Sequence, residues 1–212
     1  MAYGPRFGAA AIIVAMMVVT SLLPVRYRIA PDWLPYADSI VMLVAMAIAA
    51  LYKGSRLWRK VERVTLFAGV AVVFAFNTSN LLIVVYNLVT NAREMSPTPL
   101  FYTSLAIWAG NMFIFTLVYW LVDSGGPDAR ASGEQRYVDF SFPAMDDPDK
   151  VPPNWFPGIV DYLFLGFTTS TAFSPTEAMP YSARAKLLVI VQSSISLLTI
   201  AVVAARTVNI LR

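Results

Sequence analysis

The chain contains neither cysteine nor histidine among its 212 residues. Those absences exclude disulfides, thiolate metal centres, cysteine nucleophiles, histidine general bases and imidazole-ligated haem or zinc. Charge is scarce as well: 14% of residues are Asp, Glu, Lys or Arg, against about 25% in an ordinary soluble domain. Too few ionisable groups remain to cover a water-soluble globule of this size. Apolar residues fill their place, 58% of the chain, with a mean hydropathy of +0.61. The net charge of +3 is dispersed between apolar runs, so nothing points to nucleic acid as a partner. The composition is that of a polytopic protein whose solvent is the lipid bilayer.

A crossing helix needs about 20 mostly apolar residues. Uncharged runs at 7–25, 39–52, 64–92, 95–122 and 187–205 meet or approach that length, the second extending back to 34 if Asp38 sits at the interface. The sequence therefore predicts an all-α integral membrane protein with five transmembrane helices. A further apolar stretch, 162–176, is short and rich in hydroxyls, which fits a re-entrant, pore-helix-like segment before the last helix, the alternative being a short sixth crossing over 158–174. This divides the chain into an N-terminal three-helix transmembrane region, 1–97, and a pore-module-like region, 98–212. The second holds a helix, an acidic loop at 124–156, the re-entrant segment at 157–176 and the last helix at 184–209. The first run is expected to stay in the chain, because Ser21-Leu22-Leu23-Pro24 offers no small-x-small cleavage site. Tyr27, Trp33, Tyr36, Trp58, Tyr119 and Trp120 flank the runs, where amphipathic rings favour the headgroup layer.

Orientation follows from charge. Lys53, Arg56, Arg59, Lys60 and Arg63 stand in the loop expected between the second and third spans, and positive loops stay in the cytoplasm. The N-terminus and the acidic loop then lie on the same side. From Asp123 onward that loop carries Asp128, Glu134, Asp139, Asp146, Asp147 and Asp149 against Arg130, Arg136 and Lys150. Its plain reading is a solvated segment; its sharper reading is a vestibule that concentrates cations. Alternation over 137–142 predicts one short strand.

Polar residues inside the spans carry the functional reading. Asn77, Asn80, Asn87 and Asn91 share one face of the third helix, placed for interhelical hydrogen bonds or for a polar conduit. Gln192, Ser196 and Thr199 form a stripe on the last helix, opposite the hydroxyls Thr168, Thr169, Ser170, Thr171 and Ser174. These eight residues are the expected ion pathway. Asp161 and Glu177 bracket the hydroxyl segment, each as a helix cap or a cation site. No carboxylate pair, Ser-His arrangement or metal-ligand spacing stands within a span, so no enzymatic activity, metal or cofactor is expected.

The stretch 119–209 resembles the C-terminal signature of a family of uncharacterised bacterial polytopic membrane proteins, classed as a domain of unknown function. The matching positions are Gly125-Gly126, Phe142-Pro143, Pro157, Asp161, Phe167-Thr168, Phe173 and Thr176-Glu177. The same stretch resembles the helix–pore-loop–helix module of tetrameric cation channels. Thr168-Thr169 matches the threonines that open a potassium filter, and Glu177, Pro180 and Lys186 match the acid, proline and base after it. The departure is chemical. A potassium filter turns backbone carbonyls to the axis and needs glycine to do so, whereas 168–177 has no glycine and contains Pro175.

The resemblance implies a potassium-like cation channel with a non-standard filter, a homotetramer passing monovalent cations across a bacterial cytoplasmic (inner) membrane. A structural or accessory subunit of a membrane complex, or a small transporter, is the alternative expectation.

Overall fold

The computed structural model describes residues 4–24, 28, 30–52, 55–90, 97–132, 137–146, 148–150, 155–171 and 178–210. Ser174 and Glu177 lie outside the described residues. The fold is nearly all α. Its long helices are α1 (Gly4–Ser21), α2 (Leu34–Leu51), α3 (Arg56–Thr90) and α4 (Pro97–Val122). Two short helices follow, α5 (Pro127–Ser132) and α6 (Pro143–Asp146), and then α7 (Ile159–Thr171) and α8 (Ala183–Ile210). Strand β1 (Phe140–Ser141) pairs antiparallel with β2 (Met179–Pro180), matching Phe140 to Pro180 and Ser141 to Met179.

Four segments among the described residues are long and apolar enough to cross a bilayer: Leu34–Leu51, Arg56–Thr90, Thr98–Gly125 and Ala183–Ala204. The expected fifth is shorter. The apolar part of α1 is Arg6–Ser21, and the helix stops before Pro24, whose ring disfavours α geometry in the residue ahead of it. Thr20 and Ser21 turn their hydroxyls onto the Met16 and Val18 carbonyls over that last turn. The basic stretch also differs from expectation. Arg56, Arg59, Lys60 and Arg63 are helical, on the first turns of α3, and the neighbouring Glu62 is buried against Arg6 at 2.8 and 3.0 Å.

Helix α4 is the axis of the bundle. α1, α3, α7 and α8 all pack on it, and α2 lies outside against α1 and α3. Accordingly the second half of α4 buries side chains on every face, among them Ile114, Phe115, Leu117, Tyr119 and Trp120, while Phe101, Tyr102 and Leu105 on its first turns stay exposed. Tyr119 and Trp120, expected at the headgroup layer, are fully buried instead. The outer helices keep large apolar groups exposed, among them Ile40, Val41, Val44, Leu187, Ile190 and Leu197. Apolar outside with polar groups held inside is the arrangement of a helical membrane protein.

One end of the bundle is tied by buried charge. After α4 the backbone passes through three left-handed residues, Ser124 (φ 54°), Gly125 (φ 85°) and Gly126 (φ 98°), the last two glycines because side chains resist that geometry. The turn buries Asp123. Its carboxylate accepts from the Tyr162 hydroxyl at 2.6 Å, the Ser124 hydroxyl at 3.0 Å and the Asp139 and Phe140 amides at 3.2 Å. Arg130 donates to the Asp123 and Trp120 carbonyls. Asp139 is equally buried and accepts from Arg184 Nε at 2.6 Å, the Ser182 hydroxyl at 2.5 Å and the Ser124 amide at 2.9 Å. Burial pushes the Asp139 carboxyl up, but Arg184, Ser182 and the Ser124 amide together outweigh it and hold it below its ordinary value. The expected acidic loop is therefore built, in part, around inward-facing acids, while Asp128, Asp146 and Asp149 remain on the surface. This knot fixes the first turns of α7 and α8 to the end of α4.

Candidate functional site

From that end α7 runs inward along α4. Gly158 and Asp161 start it: the Asp161 carboxylate accepts the Gly158 amide at 2.7 Å, the side-chain half of a capping box. Gly166 brings α7 close to α4, where a Cβ would stand 2.9 Å from Thr116 Oγ1 and 3.1 Å from the Met112 carbonyl. Small residues allow such approach between membrane helices. The last turn of α7 then reaches Trp108, whose indole N–H donates to the Ser170 carbonyl at 3.0 Å. Trp108 lies 14 residues before the end of α4, so at about 1.5 Å per residue the contact sits roughly 20 Å from the knot.

The hydroxyls divide into two sets. Thr168 donates back to the Phe164 and Leu165 carbonyls, and Thr171 to those of Phe167 and Thr168. Thr199 does the same on α8, to Ile195 at 2.8 Å. Those three are satisfied by their own helices. Thr169 and Ser170 face other helices and are buried, as are Gln192 and Ser196.

Gln192 is the hub. Its Nε2 donates to the Gly166 carbonyl at 2.7 Å and to Ser170 Oγ at 2.8 Å, and its Oε1 accepts from the Tyr119 hydroxyl. Asn111 Nδ2 donates to the Gln192 carbonyl at 3.1 Å and to Ser196 Oγ at 2.8 Å. Two oxygens remain over. Asn111 Oδ1 and Thr169 Oγ1 are buried without a hydrogen-bond partner among the described residues. The Thr169 hydroxyl adjoins that of Tyr119, whose own proton goes to Gln192.

The structure thus brings Thr169, Ser170, Gln192 and Ser196 into one neutral polar centre inside the chain, covered by α4. Thr168, Thr171 and Thr199 adjoin it. The 168–171 segment is helical, not an extended filter, and Thr168, Thr169 and Ser170 are buried within their own chain. Tyr119 is expected at the headgroup layer, and Asn111 stands alone among apolar residues in the sequence. Both belong to the centre, with Trp108. Their spacing, 108, 111 and 119, places them on one face of α4, a signal masked by the helix being apolar all round.

On α3, Asn77 and Asn80 are buried, and Asn77 Nδ2 donates to the Ile107 carbonyl of α4 at 3.2 Å; Asn91 lies outside the described residues. Among the described residues no group of three or more acidic side chains is placed to hold a metal ion.

The fold and this centre define a polytopic helical membrane protein with a neutral, hydrogen-bonded centre between α4, α7 and α8. Compared with protein-family models, curated proteins and solved structures, the chain matches none of the three, so the resemblances in its C-terminal half carry no family assignment.

Proposed function

We propose that the protein is a cation-permeable, pore-forming protein of a bacterial inner membrane, working as a homo-oligomer with α7 as a re-entrant element. The observation that carries this reading is the pair of unpaired buried oxygens, Asn111 Oδ1 and Thr169 Oγ1, in a neutral centre at middle depth. Unsatisfied polar atoms in hydrocarbon are costly, and where they persist they point to function. Hydroxyl, amide and carbonyl oxygens are the ligands that replace the water shell of a monovalent cation, and a centre without fixed charge releases the ion as readily as it takes it. The course of α7 supports the same reading. Its first turn stands at the end where α8 begins, and its last turn lies at middle depth. One bundle of this size does not enclose a continuous water-filled path, and symmetric copies supply closure. In this reading the first turns of α1 and α3, with Arg6, Arg56, Arg59, Lys60 and Arg63, face the cytoplasm.

A second reading, an accessory subunit that passes no ion itself, is favoured by the full pairing of Gln192 within the chain. Liposomes containing the purified protein alone separate the two. Potassium or sodium flux that falls severalfold in Thr169→Val and Asn111→Leu, with the oligomer intact, supports conduction. Absence of flux from the wild-type protein overturns it and leaves the accessory reading.

A further inference from the structure

The first turns of α3 carry positive charge that no ion pair among the described residues uses. Arg56, Arg59, Lys60 and Arg63 stand at i, i+3, i+4 and i+7, so the helix turns all four to one face within about 10 Å of its length. Arg56, Lys60 and Arg63 are exposed and Arg59 is half-buried. Glu62, the acid on the same turns, lies on the buried face and is bonded to Arg6 at 2.8 and 3.0 Å. Among the described residues none of the four cations pairs with a carboxylate. Arg63 is nonetheless held in place. Its guanidinium carbon lies 5.8 Å from the centre of the Phe67 ring and borders the Gly126 turn, where a Cβ would stand 3.6 Å from it.

Two neighbouring features give this stripe its setting. Leu57, Val61 and Val64, at i, i+4 and i+7, form an adjoining face and are exposed. On the same turns Trp58 stacks with Tyr52, ring centroids 5.7 Å apart, and amphipathic rings favour the headgroup layer. Positive charge that only orients a chain in the membrane can stand in any order. Four cations on one helical face, beside an exposed apolar stripe and an aromatic pair, form a surface with a polar half and an oily half.

We propose that this surface binds an anionic phospholipid, its phosphodiester headgroup on the basic stripe and its acyl chains along Leu57, Val61 and Val64. Arginine presents paired N–H donors that match phosphate oxygens, and lysine adds a compact charge. Each cation near an anionic lipid surface strengthens attachment roughly fivefold. A free phosphate or an acidic soluble protein would meet the cations and leave the apolar stripe uncovered, whereas a lipid covers both. The site lies on α3, apart from the α4–α7–α8 centre, and holds whether or not the protein conducts ions.

The test is lipid competition on the purified full chain. In a neutral detergent the protein is mixed with equal amounts of phosphatidylglycerol and phosphatidylcholine, and the retained lipids are counted by native mass spectrometry. Phosphatidylglycerol should be retained in preference. Lys60→Gln combined with Arg63→Gln removes two exposed cations and should cut that preference roughly 25-fold, with helix content unchanged. Arg56→Gln combined with Lys60→Gln, which leaves the Arg63 contacts in place, should do the same. Inorganic phosphate in excess should leave the lipid bound. Equal retention of the two lipids by the wild-type chain overturns the proposal, as does a preference that survives both double variants. Displacement of the lipid by phosphate alone would mark a free-phosphate site and overturn it too.

Discussion

Replacing Gln192 by leucine tests whether the neutral centre holds α7 in place. Leucine keeps the helix propensity and much of the volume, but removes an acceptor and two donated bonds. The Tyr119 hydroxyl, the Gly166 carbonyl and Ser170 Oγ each lose their Gln192 contact. Interhelical hydrogen bonds in membrane proteins contribute about 0.6 kcal/mol each on average, because the unfolded chain in the bilayer also finds partners. Three lost together therefore cost about 2 kcal/mol. That is roughly thirtyfold in the unfolding constant. Denaturant-induced unfolding in mixed micelles, followed by tryptophan fluorescence, measures it directly, since Trp108 contacts the Ser170 carbonyl. Tyr119→Phe and Ser170→Ala should each cost about a third as much. Combined with Gln192→Leu, either should cost almost nothing more, since the bond it removes is already gone. A Gln192→Leu variant within about 0.5 kcal/mol of wild type, the range of an uninvolved surface change, would refute the hub.

A single cysteine at Ser55 has no native cysteine to compete with it, and should resist a membrane-impermeant thiol reagent in intact cells; ready labelling would reverse the orientation. Asp161→Ala should destabilise by about 1 kcal/mol in thermal unfolding while Asp161→Asn, which keeps an acceptor for the Gly158 amide, should cost clearly less. Gly126→Ala forces a side chain into left-handed geometry with its Cβ 3.0 Å from the Leu121 carbonyl, and should cost about 1–2 kcal/mol, seen as a lower thermal midpoint. Because the folded Asp139 carboxyl lies below its unfolded value of about 3.9, its stabilisation is present above that pH and is lost as pH falls through the folded value. Arg184→Gln removes the strongest of the pulls that lower it, so the variant's midpoint should fall less than that of wild type between pH 6 and 3; equal acid loss would refute the assignment.

How much of this was legible in the sequence depends on whether a residue's role is local. Helix existence is local, and the apolar runs place α2, α3, α4 and α8 to within a few residues, apart from the first turns of α3. Those turns are basic, and hydropathy cannot tell a charged helix end from a loop. The Asp161–Gly158 contact spans three residues and is likewise readable. The charged knot is not. Asp123 meets Tyr162 39 positions away, and Asp139 meets Arg184 45 positions away; composition counts both acids as part of a solvated loop. The only trace of the knot is the short alternation at 137–142, which becomes β1. In the centre, Gln192 and Ser170 were visible as polar residues in apolar surroundings, whereas Tyr119 passed as a headgroup-layer ring and Trp108 carried no signal of its own. Burial of an amphipathic ring cannot be inferred from its type, because the same ring suits the headgroup layer.

The distribution of polar groups along the bundle has a single physical logic. The fully buried acids Asp123 and Asp139 stand at one end, and each is surrounded by several donors. Removing one member of such a group leaves a buried charge uncompensated, at several kcal/mol, so the end behaves as a fixed anchor for α7 and α8. Between α4, α7 and α8, roughly 20 Å from that end, the polar groups are amides, hydroxyls and the Trp108 indole, in keeping with the larger desolvation penalty of a full charge deeper in a bilayer. An unpaired neutral group costs less there than an unpaired charge would, and it is there that Asn111 Oδ1 and Thr169 Oγ1 are found. These two oxygens leave spare hydrogen-bonding capacity between α4, α7 and α8, whereas the buried carboxylates of the anchor are surrounded by donors. The anchor's bonds hold those three helices in register at that end.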